Sequence, residues 1–218
     1  MNDIKKIDSI ISAFEKNKKI IIKKTKGFEK IFSLGKPKDI FYELVYCILA
    51  AGTSAELALK TVKIITEKDL IIYATEAEII KELKKCYRFY NVRGKYIYNV
   101  REYINLNYSF DIRKLINQFD NSVIARNELA QNKEIKGIGM KASSHFLRNI
   151  GFKNLAILDI HILSLMKEMS LIPKNFKLTI KNYEKTEDIL RKLSHQINID
   201  LPELDLTLWF MKTNKIIK

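Results

Sequence analysis

The stretch EIKGIGMKASSHFLRNIGF, residues 134–152, decides the fold of this chain. Residues 120–133, directly before it, have the composition and spacing of a helix. Residues 134–140 then predict a tight turn with two glycines, and residues 141–150 predict a second helix. A helix, a Gly-x-Gly turn and a helix together form a helix-hairpin-helix motif. The alternative is a plain turn between helices, but the apolar residues around the glycines favour the hairpin.

Glycine is concentrated at this hairpin. Gly137, Gly139 and Gly151 are three of only seven glycines in the chain. Glycine allows the backbone to pass close to another surface, and unpaired N–H groups at the start of a helix favour an anion. We therefore expect Gly137, Gly139 and the backbone N–H of Lys141 to bind a phosphate group.

Lys141 begins the second helix, where the positive end of the helix dipole disfavours a cation. The same repulsion favours the neutral amine, which is the form that a nucleophilic lysine needs. The alternative is a lysine that faces solvent or a phosphate.

A second candidate, Asp159, follows eighteen residues after Lys141. In LAILDIHIL, residues 155–163, an apolar run places Asp159 at the start of another apolar helix. Aspartate is a preferred N-cap residue, so its carboxylate could serve this helix alone. The same carboxylate can also face a site shared with Lys141, and the two interpretations are compatible.

The rest of the chain predicts an all-α fold. Only seven Gly and three Pro interrupt the sequence, and apolar residues recur at helical spacing, as at Leu57, Val62 and Ile65. Breaks at turn-forming residues divide the chain into about ten short helices. No connection is long enough to separate two independent domains, so we expect two packed helical layers.

The composition points to a polyanionic partner. Lys and Arg number 39 against 25 Asp and Glu, which gives a net charge of +14. Each phosphate that a basic side chain neutralises releases condensed cations, so this charge is effective on nucleic acid. Surplus lysine that serves only solubility is the alternative.

Neither a membrane segment nor a metal site is expected. Residues 1–19 predict an amphipathic helix with acidic residues mixed in, and no uninterrupted apolar window approaches about 18 residues. We therefore expect a cytoplasmic protein. Cys47 and Cys86 are too few for a structural zinc site or an iron–sulfur cluster.

The hairpin and the segment LAILDIHIL resemble the helix-hairpin-helix DNA glycosylase superfamily. Its bifunctional members carry a catalytic lysine directly after the hairpin and a catalytic aspartate eighteen residues later, and Lys141 and Asp159 occupy those positions. With RFYNVRGKYI at 88–97 and LWFMKTNKIIK at 208–218, the chain is similar to the archaeal-type 8-oxoguanine DNA glycosylases/AP lyases, the second class of these enzymes.

The chain departs from the superfamily in two features. The loop at 151–154 lacks the proline of the superfamily's Gly-Pro loop, which bears on the course of the backbone before Asp159. The four-cysteine loop of the endonuclease III-like relatives is also absent, so the resemblance implies no cofactor.

The resemblance implies two packed helical subdomains with a cleft between them. One is expected to comprise both chain ends, residues 1–42 and 153–218. The other comprises residues 43–152 and ends in the hairpin motif at about 120–150. The implied partner is damaged double-stranded DNA, bound by a monomer associated with the nucleoid.

The resemblance also implies a reaction in base excision repair. The enzyme rotates the damaged nucleotide out of the duplex, because the glycosidic carbon is inaccessible inside the stack. Lys141 attacks C1′ and displaces the base, and the resulting Schiff base permits β-elimination. Asp159 stays ionised and stabilises positive charge on the sugar.

Two residues near the C-terminus are candidates for base recognition. In the resembling family the carboxylate of a terminal lysine reads the oxidised guanine, and that role is carried over to Lys218. A carboxylate can accept hydrogen bonds from the N1–H and the exocyclic amine of guanine together. Trp209, the one tryptophan of the sequence, is expected to support the flipped purine, although a lone tryptophan is also common in a core.

Some features of the sequence leave alternatives open. The stretch 86–101 interleaves basic and aromatic residues that could stack bases or simply pack inward. His145 and His161 have no partner at metal-ligand spacing, and a supporting role for His161 is implied by the resemblance. The alternative functions are a glycosylase for another lesion, such as oxidised pyrimidines, and a non-enzymatic DNA-binding protein.

Overall fold

The computed structural model describes residues 2–67 and 69–218, and the regular secondary structure of this part is entirely helical. Its twelve α-helices are α1 Asn2–Leu34, α2 Pro37–Ala50, α3 Ala55–Thr66, α4 Leu70–Tyr73, α5 Glu76–Lys84, α6 Tyr90–Tyr108, α7 Arg113–Ile116, α8 Ser122–Gln131, α9 Met140–Asn149, α10 Ile160–Glu168, α11 Ile180–Ile197 and α12 Leu201–Thr213. None of these described helices has both the length and the apolar character needed to cross a membrane.

The predicted hairpin is present. Helices α8 and α9 lie within one or two residues of the two helices expected at 120–133 and 141–150. The side chain of Asn121 caps α8 by accepting hydrogen bonds from the N–H groups of Val123 and Ile124, both at 3.0 Å. The all-α fold with a helix-hairpin-helix motif is thus confirmed.

The first helix is longer than expected. The sequence predicts short helices throughout, whereas α1 has 33 residues. Gly27 lies inside it without breaking it, and a Cβ at that position would meet nothing within 4 Å. An exposed glycine only weakens a helix whose apolar face is buried elsewhere along its length.

Two clusters of buried apolar residues form the core. The first draws on α2 to α9 and runs from Ile40 to Leu155 along the chain. The second combines α1 with α10, α11 and α12, as in the contact between α1 and α12. Both chain ends therefore contribute to one cluster. The residue limits expected for the two subdomains stay a prediction.

Helix α9 is buried on all sides. Every residue from Ala142 to Asn149 is buried, and the helix contacts α1, α2 and α8. Its C-terminal end approaches α1 closely at Gly151, whose φ is +105° and whose hypothetical Cβ would lie 2.7 Å from the Cα of Glu29. The helix that carries Lys141 is consequently held between the two clusters.

A buried ion pair joins the hairpin to α11. Nη1 of Arg126 on α8 lies 3.0 Å from Oε2 of Glu187, and both side chains are fully buried. The other oxygen of Glu187 accepts a hydrogen bond from the backbone N–H of Ala156 at 2.8 Å. Because both groups of a buried pair need partners, these contacts fix α8 against the segment that precedes α10.

Candidate active site

One cavity of about 810 Å³ brings the main candidates together. Lys141, Asp159, Trp209 and Lys218 all line it, although they are spread over the second half of the chain. Residues of α2 and α9 from the first cluster form one side, and α10, α12 and the C-terminal tail form the other. The expected meeting of Lys141 with Asp159 at one site agrees with this arrangement.

The hairpin tip lies outside the cavity lining. Gly137 has a φ of +94°, and a Cβ there would lie 2.7 Å from Cδ2 of Tyr96. Gly139 is the N-cap residue of α9 and offers no side-chain cap, and a Cβ on it would meet nothing within 4 Å. The space beside the N-cap residue of α9 is therefore open. Phosphate binding there stays a prediction.

Asp159 is the N-cap residue of α10. Its Oδ1 accepts hydrogen bonds from the N–H groups of His161 at 2.9 Å and Ile162 at 2.8 Å. Among the described residues, none donates a hydrogen bond to Oδ2. The capping interpretation is correct, and it leaves the second oxygen of this cavity-lining carboxylate available.

Side chains from distant helices hold the extended segment before Asp159. The N–H of Ile157 donates to Oδ1 of Asp205 at 3.0 Å, and the N–H of Leu158 donates to the hydroxyl of Tyr183 at 3.4 Å. With the bond from Ala156 to Glu187, three successive N–H groups are satisfied in this way. The backbone between the loop at 151–154 and Asp159 thus has its course fixed by side-chain acceptors.

A buried charge pair lies behind the candidate catalytic residues. Nη2 of Arg148 is 3.4 Å from Oδ2 of Asp205, and the two residues are 2% and 3% exposed. Burial raises the pKa of Asp205 to about 6, and the nearby Asp159 adds to the rise, whereas Arg148 opposes it. Both residues line the cavity, so its inner wall carries charge.

His145 is a buried histidine that also lines the cavity. It is 6% exposed, and neither ring nitrogen nor the hydroxyl of Tyr46 has a hydrogen-bond partner among the described residues. The two rings meet edge to face with centroids 5.4 Å apart. Burial lowers the pKa of His145 and the nearby charge of Arg148 lowers it further, which favours the neutral imidazole.

The side chain of Lys218 is held inside the molecule. Its Nζ forms an ion pair with Oε1 of Glu43 and lies 4.8 Å from the centroid of the Tyr46 ring. Oε2 of Glu43 accepts a hydrogen bond from the amide of Asn149 at 3.0 Å. The sequence predicts a role for the carboxylate of Lys218 alone, and this pair was not expected from it.

Trp209 is half-buried in the cavity wall and not enclosed in the core. Its ring meets that of His161 edge to face, with centroids 6.4 Å apart. Trp209 and Lys218, the two residues expected at the pocket, therefore both line the cavity. Their contribution to base recognition stays a prediction.

The basic and aromatic stretch 86–101 divides into two groups. Tyr87 and Arg101 point inward, and their side chains donate hydrogen bonds to backbone carbonyls, such as that from Tyr87 to Leu49 at 2.5 Å. Arg88 and Phe89 stay exposed, with the guanidinium 5.1 Å from the ring centroid. The inward-packing interpretation therefore applies to Tyr87 and Arg101, and base stacking by Arg88 and Phe89 stays a prediction.

Four residues at or behind the cavity were not predicted from the sequence: Glu43, Tyr46, Arg148 and Asp205. One signal was available on α9, because His145 and Arg148 follow Lys141 by four and seven residues. That spacing places three polar side chains on one helix face. Glu43 and Asp205 carry no comparable local signal.

The chain matches a family of known proteins over most of its length. A family model described as 8-oxoguanine DNA glycosylase matches residues 21–199. The 8-oxoguanine DNA glycosylase/AP lyase of Methanocaldococcus jannaschii is 37% identical over 217 residues, which cover 99% of each chain. The protein of the same description from Thermoplasma volcanium is 38% identical over 200 residues, 91% of this chain and 92% of the relative.

Solved structures give the same result. The Methanocaldococcus jannaschii 8-oxoguanine glycosylase/lyase in complex with a 15-mer DNA containing 8-oxoguanine superposes with a TM-score of 0.87 and 33% identity, covering 97% of this chain and 99% of that one. The 8-oxoguanine DNA glycosylase of Thermotoga maritima gives a TM-score of 0.86 and 30% identity, covering 99% and 100%. The chain therefore belongs to the 8-oxoguanine DNA glycosylase family.

Proposed function

We propose that this chain excises 8-oxoguanine from double-stranded DNA and then cuts the strand at the abasic site. The observation that carries this proposal is the single cavity that Lys141 and Asp159 share with Trp209 and Lys218. A nucleophile, a carboxylate, an aromatic platform and a base-reading group are thereby available to one flipped nucleotide. Membership of the 8-oxoguanine DNA glycosylase family supports the choice of substrate.

Lys141 is the nucleophile of the proposed reaction. Its neutral amine attacks C1′, and the bond from C1′ to the base breaks with its electron pair leaving on the base, which takes up a proton. The sugar ring then opens, and the amine and C1′ form a Schiff base. Loss of a proton from C2′ expels the 3′ phosphate by β-elimination.

Asp159 stabilises the positive charge that develops on the sugar as the base leaves. Its Oδ1 is engaged by the helix N-cap bonds, so Oδ2 is the oxygen assigned to this task. The two fixed bonds also orient the carboxylate before substrate arrives. Such preorganisation lowers the cost of reaching the transition state.

Base recognition is assigned to Lys218 and Trp209. The indole of Trp209 is half-buried in the cavity wall and supplies a face on which a flipped purine can stack. The carboxylate of Lys218 accepts hydrogen bonds from the guanine edge. Lys218 is supported in this role by its fixed position, since its side chain is tied to Glu43.

DNA binding is assigned to the hairpin and the basic surface. The N–H groups at the start of α9 lie beside the open space at Gly139, where a phosphate can approach them. The net charge of +14 supplies attraction that is independent of sequence. We expect a monomer that works in the cytoplasm, bound to the nucleoid.

Borohydride trapping on duplexes with single lesions tests the proposed function. The wild-type protein should form a covalent adduct with a duplex that contains 8-oxoguanine and not with one that contains an oxidised pyrimidine. Lys141→Gln should bind the same duplex but form no adduct, because it loses the amine and keeps the hairpin N–H groups. An adduct at wild-type yield in that variant excludes Lys141 as the nucleophile, and no adduct with any lesion favours a DNA-binding protein without catalytic activity.

A further inference from the structure

The ion pair between Lys218 and Glu43 anchors the end of the chain to α2. Glu43 is 8% exposed, and each of its carboxylate oxygens has one partner, the Lys218 ammonium on Oε1 and the Asn149 amide on Oε2. A carboxylate that is removed from water to this degree needs a charged partner and hydrogen bonds. The Lys218 side chain supplies the charge, and the ring of Tyr46 provides it with a further contact.

The anchor acts at the end of a non-helical tail, in which Ile216 also packs against the second cluster. Helix α12 ends at Thr213, and residues 214–218 form no helix. The other ion pair of this tail joins Lys215 to Glu56, and both of those side chains are about half exposed, at 57% and 47%. Exposed pairs hold their partners weakly, so the buried pair at Lys218 is the stronger restraint on the tail.

We propose that Glu43 is a positioning residue for base recognition, which fixes the main chain of residue 218 beside the flipped base by holding the Lys218 side chain. This inference rests on the proposed function, since it takes Lys218 to be the residue that reads the base. Glu43 does not line the cavity, so it acts through the lysine and not on the substrate. The side chain of Lys218 thus helps to position the main chain of the same residue.

Glu43→Gln tests this role, because glutamine keeps the size and an acceptor for Asn149 but loses the charge. Single-turnover excision of 8-oxoguanine should fall by roughly tenfold to a hundredfold, as expected when a reading group is misplaced by about 1 Å. Cleavage of a preformed abasic site, where no base is read, should keep its rate. Glu168→Gln removes an exposed ion pair with Lys212 at the end of α12, outside the cavity lining, and is the matched control, with an expected change of less than about threefold.

A double-mutant cycle separates positioning from a general structural role. Lys218→Met removes the ammonium and keeps the main chain. If Glu43 acts through Lys218, adding Glu43→Gln to Lys218→Met causes no further loss of excision. If the double variant loses excision by the product of the two single losses, the proposal is overturned. Excision at the wild-type rate by Glu43→Gln also overturns it. Should Glu43→Gln not fold, wild-type excision by Lys218→Met overturns it instead.

Release of the terminal lysine gives a readout that does not depend on excision. Carboxypeptidase B removes a C-terminal lysine, and intact mass spectrometry follows its loss from the 218-residue chain. Glu43→Gln should lose Lys218 faster than the wild type and Glu168→Gln. Equal rates in all three proteins overturn the anchor. If the wild-type protein retains Lys218 but does not excise 8-oxoguanine, the proposed function is wrong. The anchoring of Lys218 by Glu43 is then still supported.

Discussion

Asp159 uses one carboxylate oxygen as a helix cap and leaves the other for the proposed reaction. Both N-cap bonds of α10 end on Oδ1, and Oδ2 accepts no hydrogen bond from the described residues. A capping bond contributes to stability whether or not the residue takes part in chemistry. Stability and catalysis can therefore be separated by a substitution that changes one task and keeps the other.

Asp159→Asn is such a substitution. Asparagine caps helices as well as aspartate, so the thermal midpoint should stay close to that of the wild type. Base release should slow by roughly a hundredfold or more, because the negative charge opposite the developing cation is lost. Thermal unfolding and single-turnover excision measure the two effects. Full turnover combined with lower stability would show that Asp159 is only a cap.

Asp205 gives the free energy of unfolding a pH dependence of known sign. Burial raises the pKa of its carboxyl from 3.8 to about 6, so the folded state binds more protons than the unfolded state between those values. The contribution of Asp205 to the free energy of unfolding is therefore greatest at low pH and is lost as the pH rises through 6. Relative to Asp205→Asn, the wild-type free energy of unfolding should fall by about 1.4 kcal/mol per pH unit in this window.

Urea unfolding of both proteins at several pH values measures this slope. The control is the exposed pair of Glu168 with Lys212, which joins α10 to α12. Glu168→Gln should not reproduce the effect of Asp205→Asn, because hydrogen bonds with Lys212 and Ser164 lower the pKa of Glu168 and give any pH dependence of this pair the opposite sign. A constant difference between the wild type and Asp205→Asn would contradict the assigned shift.

At the residue scale, the sequence identifies candidate catalytic residues when the signal lies in the residues next to them. Lys141 and Asp159 stand out because each begins a helix at a spacing that a known superfamily shares. Glu43 and Asp205 do not, since their importance arises from burial against helices that are distant in the chain. A surface acid and a buried acid look alike in a sequence, and only packing distinguishes them.

The hairpin is the element on which the fold and the proposed DNA contact both depend. Its two glycines differ in what surrounds them, because Gly137 has a positive φ and faces Tyr96, whereas Gly139 faces open space. One glycine is thus needed for folding, and the other keeps the start of α9 accessible. Alanine substitutions should separate these two requirements.

Gly137→Ala should destabilise the protein, by about 1–3 kcal/mol for the strained backbone alone. Gly139→Ala should leave the thermal midpoint unchanged, because its Cβ meets no described atom within 4 Å. It should weaken binding to undamaged duplex, since the methyl group occupies the space that a phosphate would use. Thermal unfolding and fluorescence anisotropy measure both. Unchanged DNA affinity in Gly139→Ala would exclude the hairpin tip as the phosphate site.

At the element scale, helices with local end signals were predicted well and others were not. Asn121 and the glycines mark the limits of α8 and α9, so these limits were found within two residues. Helix α1 was predicted too short, since burial of its apolar face against α12 extends it past any local signal. The extended course of 155–158 depends on acceptors from α11 and α12, which no local pattern reveals.

Charge acts at the scale of the whole molecule. With a net charge of +14 and several phosphate contacts, affinity for undamaged duplex should fall by roughly a hundredfold or more between 50 and 200 mM salt. Fluorescence anisotropy over a salt series measures the slope. Asp159→Asn is the control, because it should change excision and keep this slope. A flat response would mean that the excess lysine serves solubility alone.

The contact between α1 and α12 has a consequence for the order in which the molecule forms during synthesis. The cluster of 40–155 comes from one continuous stretch and can fold while translation continues. Helix α1 is synthesised before α12, so Ile10 and Phe14 stay uncovered until α12 has been made. Trp209 and Lys218 are synthesised after the whole of the first cluster. A nascent chain therefore completes the hairpin, the proposed DNA contact, before it completes the cavity of the proposed reaction.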